Sequence, residues 1–237
     1  EKTKEELLRN LPNVKISKEE VIQALLELSF IYSTGATSLG DIATRLGIKK
    51  ASLYNHFESR EDLISKTNLY CAGYLRAMTF SPSNLTELAE KYSASAVLKG
   101  TVNRYFKMFQ KNPLFEIYTF VQSQKYFSKE AMEIVRENDT KLAKQTLTIL
   151  QTLIQKEKLP KMEKQRLQYS VLWFCSGIND LLNRFLMERK QTVMQTPAEG
   201  VGQLFNLPAN LDQLKKIDLL VDYFINLIVT DSLPRSE

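Results

Sequence analysis

Thr37-Ser38-Leu39-Gly40-Asp41-Ile42-Ala43-Thr44-Arg45-Leu46-Gly47-Ile48-Lys49-Lys50-Ala51-Ser52-Leu53-Tyr54-Asn55-His56-Phe57-Glu58-Ser59-Arg60-Glu61-Asp62-Leu63 decides the fold. Ser38 and Ser59 are each followed three residues later by an aspartate, the reciprocal cap that starts a helix. After Ser38, the residues Leu39, Ile42, Ala43 and Leu46 make one apolar stripe of about two turns. Gly47 then supplies the left-handed turn conformation, with Ile48 tucked beneath it. A third short helix is expected from Lys50 to His56. A long one follows Ser59 through Leu63, Ile64, Thr67 and Tyr70 to about Met78. Two short helices joined by a glycine turn are the helix-turn-helix unit, whose second helix enters the major groove of DNA.

The third helix must then have an outward face suited to bases. With Leu53 on its buried side and about 100° per residue, Phe57 falls on the core side while Ala51 and Asn55 point outward. Ala51 permits close approach, and Ser52 and Asn55 can bond base edges, Asn to adenine being a standard pairing. Lys49, Lys50, Tyr54 and His56 lie where phosphates would pass, and Thr37 and Ser38 place hydroxyls and N–H groups at a helix start. Arg60 stands in the first turn of a helix, where the dipole favours acids, and a phosphate partner would rationalise it. Thr44 to Phe57 holds three cations and no acid, although residues 1–80 as a whole carry 11 Lys/Arg against 10 Asp/Glu. The plain alternative is a three-helix bundle with a solvated lysine pair; the combination argues against it.

Upstream, Ser17-Lys18-Glu19-Glu20 is another capping box, followed by Val21, Ala24, Leu25, Leu28 and Ile31 at helical spacing, with Gly35 after the helix. Together these stretches resemble the DNA-binding domain of the TetR (tetracycline-repressor-like) regulators. Ile42-Ala43, Gly47 and Leu53-Tyr54-Asn55-His56-Phe57 carry the resemblance, which covers Ser17 to Met78. Lys49 departs from the usual Ser or Thr, and Arg60 from the usual Lys. The resemblance implies phosphate roles for Thr37, Ser38, Tyr54, His56 and Arg60, and groove roles for Lys50, Ala51, Ser52 and Asn55. It also implies a C-terminal helical domain for effector binding and dimerisation.

The rest of the chain agrees with an all-α fold. Ser81-Pro82-Ser83-Asn84 is a linker-like break, so the expected division is an extension at 1–16, a DNA-binding domain at 17–80 (its helix-turn-helix at 38–57) and an effector and dimerisation domain at 81–237. Further helices are expected within 84–111 and at 113–126, 128–157, 162–190 and 209–230, with loops at 159–161 and 197–208. The last two helices are apolar on more than one side, so each must bury two faces. A symmetric partner supplies the second, with Val171, Phe174, Ile178, Val221 and Phe224 as the expected dimer residues and Leu214 in the same seam. The alternative is a monomer with these helices central. Tyr70, Tyr74, Tyr105, Phe109, Tyr118, Tyr126, Trp173 and Asn179 are the candidates for an effector pocket, apolar with a few polar tips.

Composition narrows the classes. The chain has 237 residues with 8 Gly, 7 Pro, 43% hydrophobic and 25% charged residues, and a net charge of +5. Scarce Gly and Pro disfavour a turn-rich β fold. The longest charge-free apolar stretch, Leu167 to Asn179, is too short to span a membrane. Cys71 and Cys175 have no metal or redox spacing and read as buried small hydrophobes. One histidine and no phosphate-binding or dinucleotide fingerprint argue against an enzyme, a metal or a cofactor. The expectation is a cytoplasmic homodimeric regulator, most simply a repressor, that binds a palindromic double-stranded operator and is released by a small, mostly apolar effector. The alternative is control by a protein partner.

Overall fold

The computed structural model describes residues 16–195 and 211–230. Among them it contains ten α-helices and no strand: α1 Lys18–Tyr32, α2 Leu39–Arg45, α3 Lys50–Leu53, α4 Arg60–Ala77, α5 Leu85–Lys91, α6 Ala94–Phe109, α7 Leu114–Gln124, α8 Lys129–Gln155, α9 Lys164–Gln195 and α10 Leu211–Thr230. The extension up to Lys15, the loop at 197–208 and the side chain of Leu214 lie outside the described residues.

The chain divides into two compact units. One holds the described residues up to Arg76 together with Glu116–Val135; the other holds Ala77–Phe115 and the described residues from Arg136 onward. The sequence break at 81–84 does not register the return of residues 116–135 to the first unit. That return is a tertiary event with no local signal.

In the first unit, α1 starts on the expected box. Ser17 Oγ accepts from Glu20 N at 3.1 Å, and Ser17 N donates to Glu20 Oε2 at 2.7 Å. Val21, Ile22, Ala24, Leu25, Leu26, Leu28 and Phe30 are buried. The stop differs from expectation: the left-handed residue is Ser33, at φ 77°, two residues before Gly35. Ser33 is held there by its surroundings. Its N–H donates to Ser29 O at 3.0 Å and its own carbonyl accepts from Thr37 Oγ1 at 2.8 Å.

The second unit is built on α6, α9 and α10, which pack on one another. Phe106 meets Phe185 at 5.6 Å between ring centroids, and Phe174 meets Phe224 at 4.5 Å. Leu98, Val102, Phe109, Ile149, Leu150 and Leu153 complete a closed apolar interior. Polar pairs fix the register of α10 on α6. Ser95 Oγ and Lys99 Nζ both donate to the Asp222 carboxylate, at 2.7 and 2.6 Å, and Asn103 Nδ2 donates to Asp218 Oδ1 at 3.1 Å. The bonds from Lys99 and then Ser95 hold the Asp222 carboxyl below the usual carboxylate range. Both cysteines are buried and free, and burial pushes the Cys71 thiol up to about 12.

Candidate nucleic-acid interface

The helix-turn-helix unit is assembled by backbone chemistry the sequence dictates. Ser38 Oγ accepts from Asp41 N at 3.2 Å, while Asp41 Oδ2 accepts from Ser38 N at 2.8 Å and from Ser38 Oγ at 2.7 Å. These bonds, the one from the Ser38 hydroxyl above all, hold the Asp41 carboxyl below its ordinary value. At the other end of α2, Gly47 sits at φ 66°. Ile48 N donates to Ala43 O at 2.9 Å and Gly47 N to Thr44 O at 3.2 Å, the double closure of a Schellman cap. Any other L-residue at Gly47 would carry the left-handed cost of about 1–2 kcal/mol.

The recognition helix is shorter than expected. α3 ends at Leu53, and Tyr54 to His56 continue as turns closed by i→i−3 bonds, Tyr54 N to Ala51 O, Asn55 N to Ser52 O and His56 N to Leu53 O. This tight winding keeps Leu53 and Phe57 buried, at 1% and 3% exposure. Two ammonium groups cover the Phe57 ring, Lys18 at 5.7 Å and Lys66 at 5.4 Å. On the opposite side Lys49, Lys50, Ala51, Tyr54 and Asn55 are exposed, with Ser52 and His56 half-buried beside them. The expected outward face is therefore present, on a support of buried apolar side chains.

Three residues expected to contact phosphate also have partners within the protein. Arg60 Nε donates to Thr37 O at 3.1 Å and Arg60 Nη2 donates to Thr34 O. Two carbonyls thus account for an arginine in the first turn of α4, with no phosphate required. Thr37 is buried and its hydroxyl is spent on Ser33 O. Ser38 is exposed, but its backbone N–H belongs to Asp41 rather than being free. The local field is also weaker than counted, because Arg45 Nη2 pairs with Glu27 Oε2 at 2.7 Å. Lys49 and Lys50 are left as the exposed cations of the face. Lys49 is also the N-cap of α3 and makes no side-chain cap bond. Lys49→Ser is expected to raise stability by about 1 kcal/mol through a restored cap, while weakening DNA binding at low salt. Thermal melts alongside DNA titrations check both signs.

The expected effector residues are divided between the two units. Within the first unit, the Tyr70 and Tyr74 rings lie tilted to one another at 5.4 Å, with Tyr70 half-buried and its hydroxyl pushed upward by burial. Tyr118 is half-buried, and Tyr126 is 82% exposed and so encloses nothing. Within the second unit, Tyr105 and Phe109 are core residues 4.9 Å apart, and burial raises the Tyr105 hydroxyl to about 12. Asn179 Nδ2 donates to Asp139 Oδ1 at 2.9 Å. Trp173 lines an open groove of about 490 Å³ with Glu163, Arg166, Tyr169, Phe224 and Leu227.

Val171, Phe174, Ile178, Val221 and Phe224, the expected dimer residues, are all buried inside the second unit. A second apolar stripe lies on the opposite sides of the same helices: Tyr169, Leu172 and Trp173 on α9, and Leu219, Tyr223 and Leu227 on α10, all exposed. Trp173 stacks on Phe224 at 5.8 Å and approaches Tyr223 at 6.2 Å, which brings the stripes side by side. Gly177 serves this packing from within, since a Cβ there would meet Leu220 at 3.6 Å. The signal was present in the sequence, because Tyr169 and Trp173 are four apart and off the core stripe.

The helix-turn-helix and its exposed polar face define an all-helical protein with a candidate DNA-reading surface. Residues 26–67 match the family model for bacterial regulatory proteins of the tetR family. Solved structures share the fold over most of the chain. A protein of Mesorhizobium loti MAFF303099, assigned to the TetR-family transcriptional regulators, aligns with TM-score 0.56 at 17% identity over 89% of this chain and 95% of that one. PfmR, a TetR-family regulator from Thermus thermophilus, gives 0.54 at 16% identity over 87% and 97%. A TetR transcription regulator from Haloarcula marismortui ATCC 43049 gives 0.54 at 13% identity over 90% and 97%. No curated protein matches the chain in sequence. The chain thus holds a segment that matches the tetR-family model and shares the fold of these TetR-family structures. Among the described residues, no helix is long and apolar enough to cross a membrane.

Proposed function

We propose that the protein is a homodimeric repressor that reads a near-palindromic operator through Lys50, Ala51, Ser52 and Asn55. Lys49, Tyr54 and His56 contact flanking phosphates. The observation that carries this reading is the exposed, acid-free face of α3 and the turn after it, seated on buried Leu53 and Phe57. Thr37, Ser38 and Arg60 act from behind, fixing the entry to α2. The stripe of Tyr169, Leu172, Trp173, Leu219, Tyr223 and Leu227 joins two copies, which places two recognition helices on successive major grooves about 34–36 Å apart or somewhat more. Capture of genomic DNA on the purified chain, followed by sequencing, is expected to enrich one motif with twofold symmetry. Enrichment of no motif, or of an asymmetric one, contradicts the reading.

Release by a small, mostly apolar effector completes the proposal. It stands on the tyrosine and tryptophan content of residues 84–190 and on the resemblance. Control by a protein partner is favoured by one observation: Tyr126 and Phe127 are adjacent, 82% and 90% exposed, and flanked by Lys125 and Lys129. Splitting a cell lysate into a small-molecule filtrate and a protein fraction separates the two. Release of captured DNA by the filtrate alone supports an effector, and release by the protein fraction alone supports a partner.

A further inference from the structure

The turn that follows α3 ends at Phe57, and a charged cluster of the same unit lies behind that residue. Phe57 N donates to Leu53 O at 3.1 Å, after three residues wound only by i→i−3 bonds. Such winding has poorer hydrogen-bond geometry than an α-helix and seldom runs far unaided. The next amide, Glu58 N, donates to Asp62 Oδ2 at 3.0 Å. The same oxygen accepts from Lys66 Nζ at 2.5 Å, and the Lys66 ammonium lies 5.4 Å from the centre of the Phe57 ring. Lys18, the first residue of α1, brings a second ammonium to 5.7 Å from that ring.

Helix capping does not account for this arrangement. At Ser17–Glu20 and at Ser38–Asp41 the acid returns to the N–H of its own serine. Asp62 stands in the same position after Ser59, and Asp62 N donates to Ser59 Oγ at 3.0 Å, but its carboxylate reaches one residue further back, to Glu58. The acid of this third box is thus turned toward the end of the preceding turn. The Lys66 and Asp62 side chains are 30% and 24% exposed, so their pair is screened less than one in open water. The bond from Lys66, and then that from Glu58, hold the Asp62 carboxyl below its ordinary value, and the Lys18 charge acts in the same direction. An ammonium over an aromatic face is attracted by the ring quadrupole. Lys66 therefore holds the backbone through Asp62 and the side chain through Phe57.

We infer that Lys66 and Asp62, assisted by Lys18, lock the end of the turn and so set the orientation of Asn55. Lys66 is a positioning residue: its ammonium is engaged on Asp62 and Phe57, and the DNA backbone is not its partner. Tyr54, Asn55 and His56 are strung between the buried anchors Leu53 and Phe57, so freedom at Phe57 becomes freedom at Asn55. A bidentate contact to a base edge tolerates misplacement of only about 0.5 Å and 10–20°. A point charge on a phosphate is less demanding. Loosening the lock therefore lowers base preference more than general affinity. That consequence for DNA rests on the function proposed above; the lock itself does not.

The test uses the full-length chain and three variants. Lys66→Met keeps the stem and removes the ammonium, Lys66→Arg keeps a cation and a donor, and Asp62→Ala removes the shared acceptor. Hydrogen exchange over Leu53–Ser59, read by mass spectrometry, is expected to speed about three- to tenfold in Lys66→Met and Asp62→Ala, the factor set by one lost hydrogen bond. Lys66→Arg should stay near the wild-type rate, and Ala24–Phe30 of α1 should not change in any variant. On DNA, the preference of Lys66→Met for the captured motif over a scrambled duplex should fall about three- to tenfold. The slope of its log affinity against log salt should be that of the wild type, and Lys66→Arg should restore the preference. A slope reduced by about one makes Lys66 a phosphate contact and overturns the inference. Wild-type exchange over Leu53–Ser59, equal acceleration in Ala24–Phe30, or a Lys66→Arg chain as loose as Lys66→Met overturns it too. Should Asp62→Ala fail to fold, the two Lys66 variants decide. If capture yields no motif, the proposed function fails and the exchange rates still decide the lock.

Discussion

Two neighbouring residues on α9 are expected to separate when they are replaced. Leu172→Glu, combined with Tyr223→Glu, should give a folded monomer, whereas Phe174→Ala should give a destabilised chain. Leu172 and Tyr223 are each about three-fifths exposed, so a carboxylate at either stays in water when the chain is alone. In the proposed dimer both would be taken out of water against a partner's apolar stripe, where an unpaired charge is costly. Loss of two central residues at about 2 kcal/mol or more each implies a dissociation constant raised by about a thousandfold. Phe174 is fully buried against Phe224, and truncating such a ring costs about 3–5 kcal/mol through lost transfer energy and the cavity left behind. Sedimentation and urea titration read the two effects independently. A double variant that still sediments as a dimer would place the interface elsewhere. A Phe174→Ala chain of wild-type stability would contradict its place in the core.

The same pair shows how much the sequence discloses. Periodicity marked α9 and α10 as apolar on two sides, because stripe width is a local property. It could not say which side of each helix the chain itself buries, since that depends on how α6, α9 and α10 pack on one another. The helix-turn-helix was legible almost to the atom where the signal is local: the Ser38–Asp41 box, the Gly47 turn, and Leu53 and Phe57 beneath Asn55. It failed where a long-range partner decides. The bonds from Arg60 to the carbonyls of Thr34 and Thr37, 26 and 23 residues away in sequence, have no local signal. The Arg45–Glu27 pair shares that origin. The aromatics of 101–127 misled for a different reason: Tyr105 as core and Tyr126 as surface have the same side chain, and only burial distinguishes them.

Asn55→Ala is expected to cost about 1–3 kcal/mol of affinity for the captured motif and to relax base preference at one position of each half-site. Lys50→Ala should behave otherwise if its ammonium meets phosphate: affinity falls by a similar factor on every sequence, and the slope of log affinity against log salt drops by about one. The two sit five residues apart on the same exposed face, so the contrast lies in their chemistry and not in their access. Asn55 offers a planar donor–acceptor pair that matches the adenine edge, and a methyl in its place leaves those base atoms unsatisfied. Lys50 offers a point charge that is indifferent to sequence, and its removal returns about one counterion per contact to the duplex. Tyr54→Phe serves as a reference, because loss of a hydroxyl that bonds phosphate weakens all sequences alike while leaving the salt slope unchanged. Titrations of the captured motif and of a scrambled duplex, each at several salt concentrations, supply all three comparisons. If Asn55→Ala binds both duplexes as the wild type does, base recognition lies outside the turn that follows α3. A Lys50→Ala variant that loses discrimination without losing salt slope would instead make Lys50 a base contact and move the reading face by half a turn.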